Sequence, residues 1–225
     1  MSVSRSCVLS INEYFHVYNR GVDKRKIFLS RSDYERFLSL LLACNNSYPV
    51  DLKLQGSSLS ELVEIEKKKK ITSIGAYCLM PNHFHIILKE TAENGISRFM
   101  QKLQTAYTMY FNKKNERSGS LFQGTFKAVH ANHDTYLKYL VSYIHLNPVK
   151  LIQPNWKEIG IGDLQKAEIF LNGYKYSSYQ DFLGINRIEN HILDRECIPK
   201  YFENLKHFIG TTKEWLQLRS DFYKV

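Results

Sequence analysis

Apolar and polar residues along this chain alternate, or recur at helical spacing, in blocks that mark out a succession of elements. Residues 13–22, EYFHVYNRGV, combine aromatic and β-branched side chains and close on Gly21, which predicts a strand. Residues 31–46, RSDYERFLSLLLACNN, carry the spacing of an amphipathic helix, with Ser32 or Asp33 expected to cap its start and Asn45-Asn46 suited to its end. The stretch from about 51 to 70 ends in four lysines, 67–70, and reads as an irregular, solvated insertion. Residues 71–80 and 83–90 predict two strands around the turn pair Pro81-Asn82, hence a hairpin. After Gly95, the positions Ile96, Phe99, Met100, Leu103, Tyr107 and Phe111 keep a 3.6-residue period and predict a helix. A strand-like piece, 119–131, and a second long helix, 134–148, ended by Pro148, follow. Beyond 155 the pattern weakens. The expected organisation is a main domain over 1–154 and a small C-terminal extension over 155–225 packing on it. Helices alternating with a mainly antiparallel sheet predict the α+β class, a ferredoxin-like (RRM-like) sheet flanked by helices.

Strand alternation gives the hairpin a chemical meaning. In YCLMPNHFHIIL, residues 77–88, His83 and His85 share one face, while Phe84, Ile86 and Leu88 share the other and can pack on a helix. Two adjacent imidazoles suit a divalent metal, although H-x-H alone also fits two polar residues on a sheet face. No H-E-x-x-H and no well-placed cysteine completes a site. Residues i and i+4 of a helix face the same way. Of the fifteen tyrosines, two have a side-chain amide four residues on: Tyr143 with Asn147 and Tyr176 with Gln180. Only the first pair lies on a clear helix, which could equally present Tyr143 as a core aromatic beside Tyr136 and Tyr139.

Charge narrows the partner class. The chain of 225 residues has a net charge of +9, and residues 98–127 hold six Lys or Arg against one Glu. That balance favours a polyanion, nucleic acid before membrane. The longest apolar run, 37–44, is far short of the roughly 18–20 residues of a membrane span. The start lacks a secretory apolar region, and four scattered cysteines suggest no disulfide framework. A cytoplasmic protein is the expectation.

The chain resembles the single-tyrosine HUH transposases, most closely their REP-associated branch. The resemblance rests on HVYNRGVDKRKIF, AYCLMPNHFHIIL, LFQGTFKA, YLVSYIHLNPVK and YSSYQDFLG, in that order, across about residues 16–184. It implies that His83 and His85 are the HUH metal pair, that Tyr143 is the nucleophile and that Asn147 completes a site for Mg²⁺ or Mn²⁺. It further implies transesterification of single-stranded DNA through a 5′-phosphotyrosine, on a hairpin-forming substrate at repeat or element ends. Both a monomer and a homodimer are open to it. The family usually has a basic residue, typically Arg, after the Gln-Gly of the FQG segment, where this chain has Thr125. Phosphate contacts are expected from Arg20, Lys24, Arg25 and Lys26 after the first strand, and from Arg98, Lys102, Lys113, Lys114, Arg117 and Lys127. Tyr110 is available to stack on bases, whereas Tyr107 and Phe122 are expected in the core. Three other readings compete: a nucleic-acid-binding module that does not cut, a metal-dependent phosphodiesterase using water, and a domesticated transposase. Exposed stacking aromatics on the sheet would favour the first, a dispensable Tyr143 the second.

Overall fold

A computed structural model describes residues 7–47, 58–65, 70–194, 196–199, 201, 207 and 210–211, without the side chains of 64, 65 and 157. Four strands form one antiparallel sheet: β1 (Tyr14–Arg20), β2 (Thr72–Met80), β3 (His83–Glu90) and β4 (Lys127–His130), in the spatial order β2-β3-β1-β4. With α1 (Arg31–Ala43) between β1 and β2 and α3 (Gly95–Lys114) between β3 and β4, this is the expected ferredoxin-like arrangement. A short helix, α2 (Leu59–Ile65), precedes β2, and α4 (Asp134–Leu146) follows β4.

The two sheet faces bury different sets. Phe15 and Val17 of β1 lie with Phe84, Ile86 and Leu88 of β3 under α1 and α3, which contribute Phe37, Leu41, Phe99, Leu103 and Tyr107. All of these are inaccessible to solvent, and at about 25 cal/mol per Å² of apolar area this layer carries most of the driving force for folding. The opposite face holds Ala76, Cys78, Met80 and Ile87 beneath Leu137, Leu140, Val141 and Ile144 of α4. Alternation along β3 therefore puts the two histidines on the α4 side.

Three expectations are corrected. The cap of α1 is neither Ser32 nor Asp33 but Ser30. Asp33, three residues on, turns its carboxylate back to accept the Leu29 and Ser30 N–H groups at 2.7 and 2.9 Å. The insertion is not wholly irregular. Ser58 and Glu61 form a capping box, with the Ser58 N–H donating to Glu61 Oε2 at 2.7 Å, and Leu62 buries itself in the core beside α1. Residues 51–57 and 66–69 of that stretch, including most of the lysine run, lie outside the described residues. Of the strand-like piece 119–131, only Lys127–His130 pairs as a strand. The FQG segment instead crosses the end of β1, where Gln123 N donates to the Arg20 carbonyl at 2.8 Å and Gly124 takes a positive φ of 69°.

The chain after α4 lies against the hairpin. A turn of 3-10 helix, Asn147–Leu151, accommodates Pro148, and α5 (Trp156–Ile159), α6 (Leu164–Gly173) and α7 (Tyr179–Phe182) follow. Residues 174–178 run beside β2: Leu79 N donates to the Tyr176 carbonyl, Ser178 N to the Tyr77 carbonyl and Tyr174 Oη to the Leu79 carbonyl. The Arg187 guanidinium grips both carboxylate oxygens of buried Asp181 and also reaches Tyr77 Oη and the Ser177 carbonyl. The C-terminal residues 212–225, with Trp215, lie outside the described residues. Among the described residues no helix is long and apolar enough to cross a membrane.

His145 fastens α4 to this segment. It is fully buried, and its Nε2 lies 2.8 Å from Ser178 Oγ. Burial first, and the Arg187 charge second, push its pKa down to about 3. The folded chain thus keeps His145 neutral while the unfolded chain protonates it near 6.5. Its contribution to stability is intact above pH 6.5 and is lost as the pH falls toward 3, by about 1.4 kcal/mol per pH unit. Urea unfolding at pH 7 and pH 5 should show a fall of about 2 kcal/mol that is largely absent in His145→Gln.

Candidate active site

The Pro81-Asn82 turn is built into place by the loop after β1. Ile27 N donates to the Pro81 carbonyl at 2.8 Å and Gly21 N to the Asn82 carbonyl at 2.9 Å. Asn82 Nδ2 donates to the Lys24 carbonyl at 3.1 Å, which turns Oδ1 toward His83 Nδ1, 2.6 Å away. A carbonyl oxygen only accepts, so His83 carries its hydrogen on Nδ1 and, when neutral, its lone pair on Nε2.

Tyr143 of α4 meets the histidines from above the sheet. Its ring stands edge-on to His85, with centroids 5.8 Å apart, and His85 stands edge-on to His83 at 5.0 Å. Asn147 keeps αR torsions at the end of α4, so the i, i+4 relation survives the change to 3-10 geometry. Its Nδ2 donates to the Tyr143 carbonyl at 3.1 Å, and its side chain also bonds the Tyr143 hydroxyl. Burial raises the Tyr143 pKa above 10, opposed by the Asn147 hydrogen bond and the positive charge of Lys150. The structure thus brings His83, His85, Tyr143 and Asn147 to one place.

Sequence reasoning missed His16 and Tyr18. Both lie on the histidine face of β1, Tyr18 directly opposite His85 and His16 opposite Ile87. His16 is 7% exposed and His85 8%, and His16 Nε2 is 2.8 Å from His85 Nδ1. The HVY run supplied the alternation, but only the register of β1 on β3 reveals the contact.

The expected DNA-contacting cations separate into two groups. Arg20, paired with His83, and Lys127, paired with Tyr18, are exposed beside the histidine face, and Arg20 Nε donates to Gln123 Oε1 at 2.6 Å. Lys24, Arg25 and Lys26 are exposed on the loop that grips the turn. The α3 cations lie across the sheet from the histidines, because α3 covers the Phe84 face. Arg98 and Lys113 are exposed there. Lys102 donates to the Asn46 carbonyl, Lys114 to buried Asp33, and Arg117 to Asn112 and the Ser120 carbonyl. Tyr107 and Phe122 are buried in the core, and Tyr110 hydrogen-bonds Asp33 at 3.1 Å. Half-exposed aromatic rings do lie nearby: Tyr18 borders His85, and Tyr139, with Tyr136 stacked beside it, borders Tyr143.

The donor set suits a hard divalent cation: two imidazole nitrogens and an amide oxygen leave room for phosphate and water oxygens. Among the described residues no group of three or more His, Cys, Asp or Glu is arranged to hold a metal ion.

A four-stranded antiparallel sheet with a tyrosine-bearing helix laid across an H-x-H pair defines a class of protein, and comparison with known families specifies it. The IS200-like transposase family model matches residues 14–147, and the chain belongs to that family. No curated protein matches it. Among solved structures, the chain is similar in fold to a REP-associated tyrosine transposase bound to a REP hairpin. The two share 15% identity over 84% of this chain and 90% of that one, with a TM-score of 0.50. A tRNA(His) guanylyltransferase from Saccharomyces cerevisiae, 16% identical over 88% of this chain and 83% of its own, gives a TM-score of 0.32, too low to support a common architecture.

Proposed function

We propose that this transposase cleaves and rejoins single-stranded DNA with Tyr143 as nucleophile. The observation that carries the reading is the convergence of Tyr143, bonded to Asn147, on the ring of His85. His83, His85 and Asn147 would hold Mg²⁺ or Mn²⁺. When bound, the ion supplies polarisation and charge neutralisation at the scissile phosphate. The Tyr143 oxygen forms a bond to phosphorus, the bond from phosphorus to the 3′-oxygen breaks, and the phenolic proton ends on that 3′-oxygen. The product is a 5′-phosphotyrosine that conserves the phosphodiester energy, and a later 3′-hydroxyl reverses the step on a new strand. Burial raises the phenol pKa, so ionisation for attack would rely on the Asn147 hydrogen bond, the Lys150 charge and a bound cation.

The substrate we infer is a DNA hairpin with single-stranded flanks, the chemistry read through its structure as much as its bases. Arg20 and Lys127 flank the histidines and suit phosphate contacts, and the half-exposed rings of Tyr18, Tyr136 and Tyr139 suit unpaired bases. Arg20→Ala and Lys127→Ala are each expected to lower the slope of log K against log salt by about 0.7 on single-stranded DNA. An equal loss on removing Arg98 and Lys113 would extend the interface to the far face of the sheet.

The direct test mixes purified protein with labelled hairpin DNA and Mn²⁺ or Mg²⁺, then denatures the sample. A covalent protein–DNA band abolished by chelator is expected. Cleavage with no adduct would turn the assignment toward a water-using phosphodiesterase, and tight binding with neither would leave a non-catalytic binding module.

A further inference from the structure

Both histidines of the H-x-H pair present the same ring nitrogen to the protein. His83 Nδ1 faces Asn82 Oδ1 at 2.6 Å, and His85 Nδ1 faces His16 Nε2 at 2.8 Å. For His83 the partner is a pure acceptor, and the tautomer follows from the amide geometry. For His85 the partner is another imidazole, which can accept or donate. One hydrogen lies between the two nitrogens. If it sits on His85 Nδ1, then His85 Nε2 carries a lone pair. If it sits on His16 Nε2, neutral His85 is protonated on Nε2 and cannot ligate through it.

We infer that His16 is a positioning residue that holds His85 in the Nδ1–H tautomer, so that both histidines present Nε2 to a divalent cation. The inference rests on the metal-dependent reading above. The geometry fits the role. Register places His16 diagonally across from His85 on the same face, the rings stack at 4.9 Å with 25° between planes, and both are more than nine-tenths buried. A buried imidazole costs stability unless its nitrogens are bonded, and an apolar residue at 16 would pack there without that penalty. The placement serves the ring it orients: the hydrogen bond made by one imidazole nitrogen sets which nitrogen is available to a metal. It also locks the His85 ring plane, since His85 is held by His16 on one side and bordered by His83 and Tyr143 on others.

The test uses the full chain without DNA. Long-range ¹⁵N–¹H spectra of the ring nitrogens report the His85 tautomer in the metal-free wild type, and electron paramagnetic resonance of free Mn²⁺ reports affinity. The expected wild-type result is a protonated Nδ1 and a bare Nε2 on His85. His16→Phe, which keeps a ring but no acceptor, should move the hydrogen to Nε2 and weaken Mn²⁺ binding by about 10–100-fold. His16→Gln, whose amide oxygen can accept from Nδ1–H, should restore most of that affinity. A wild-type His85 protonated on Nε2 would overturn the inference without any variant. So would Mn²⁺ uptake that depends on His83 and His85 yet is unchanged in folded His16→Phe, and that result would leave the proposed chemistry standing. Wild-type protein that takes up no Mn²⁺ would overturn both.

Discussion

Tyr143→Phe should abolish the covalent DNA adduct while leaving fold and hairpin binding close to wild type. The substitution removes one oxygen. The ring stays, and with it the edge-on contacts to His85 and His16 and the packing against Tyr139. What is lost is the only atom proposed to attack phosphorus and its hydrogen bond from Asn147. Removing a covalent nucleophile costs on the order of 10⁴–10⁶ in rate where no other group replaces it. Tyr139, whose ring lies 5.7 Å from that of Tyr143, is the obvious substitute, so the double variant Tyr139→Phe/Tyr143→Phe belongs beside the single one. Cleavage that persists in Tyr143→Phe at more than about a hundredth of the wild-type rate would reject Tyr143 as the nucleophile.

The largest expected effect on stability lies outside the site, at Arg187. Its guanidinium makes a two-pronged contact with Asp181, whose side chain is 1% exposed. Arg187→Met would leave that carboxylate buried without its counter-charge, a loss of about 3–5 kcal/mol. Tyr77 Oη and the Ser177 carbonyl would lose a donor as well. Urea unfolding should show the midpoint falling sharply. The double variant Arg187→Met/Asp181→Leu should recover much of the loss, because no lone charge is then buried. If the single variant unfolds at the wild-type midpoint, the pair does not hold the C-terminal segment to β2.

Local pattern carried most of the framework. The 3.6-residue period over Ile96 to Phe111 marks residues that are all buried under the sheet, and strand alternation assigned His83 and His85 to the face opposite Phe84. The i, i+4 spacing links Tyr143 to Asn147 because both lie on one helical run, where the Asn147 amide bonds the Tyr143 carbonyl. His16 escaped because its contact depends on the register between strands some seventy residues apart, which no local period encodes. The basic segment 98–127 shows a different limit: a charge count says how many cations a helix carries, not which sheet face that helix covers. Lys114 illustrates it, its charge spent on buried Asp33. The helix Leu59–Ile65 did have a signal in Ser58-x-x-Glu61, outweighed by the polarity of its neighbours.

Tyr143 and Asn147 ride on a single rigid rod, while His16, His83 and His85 are fixed in the sheet below it. The phenol and the amide therefore cannot drift independently. On the proposed mechanism, a tilt of α4 large enough to admit a bulky strand would withdraw both together, and re-seating the helix would restore both in one movement. The His145–Ser178 contact is one of the ties that resist that movement, so the anchor of the C-terminal segment also bears on how readily the two halves of the proposed site come apart.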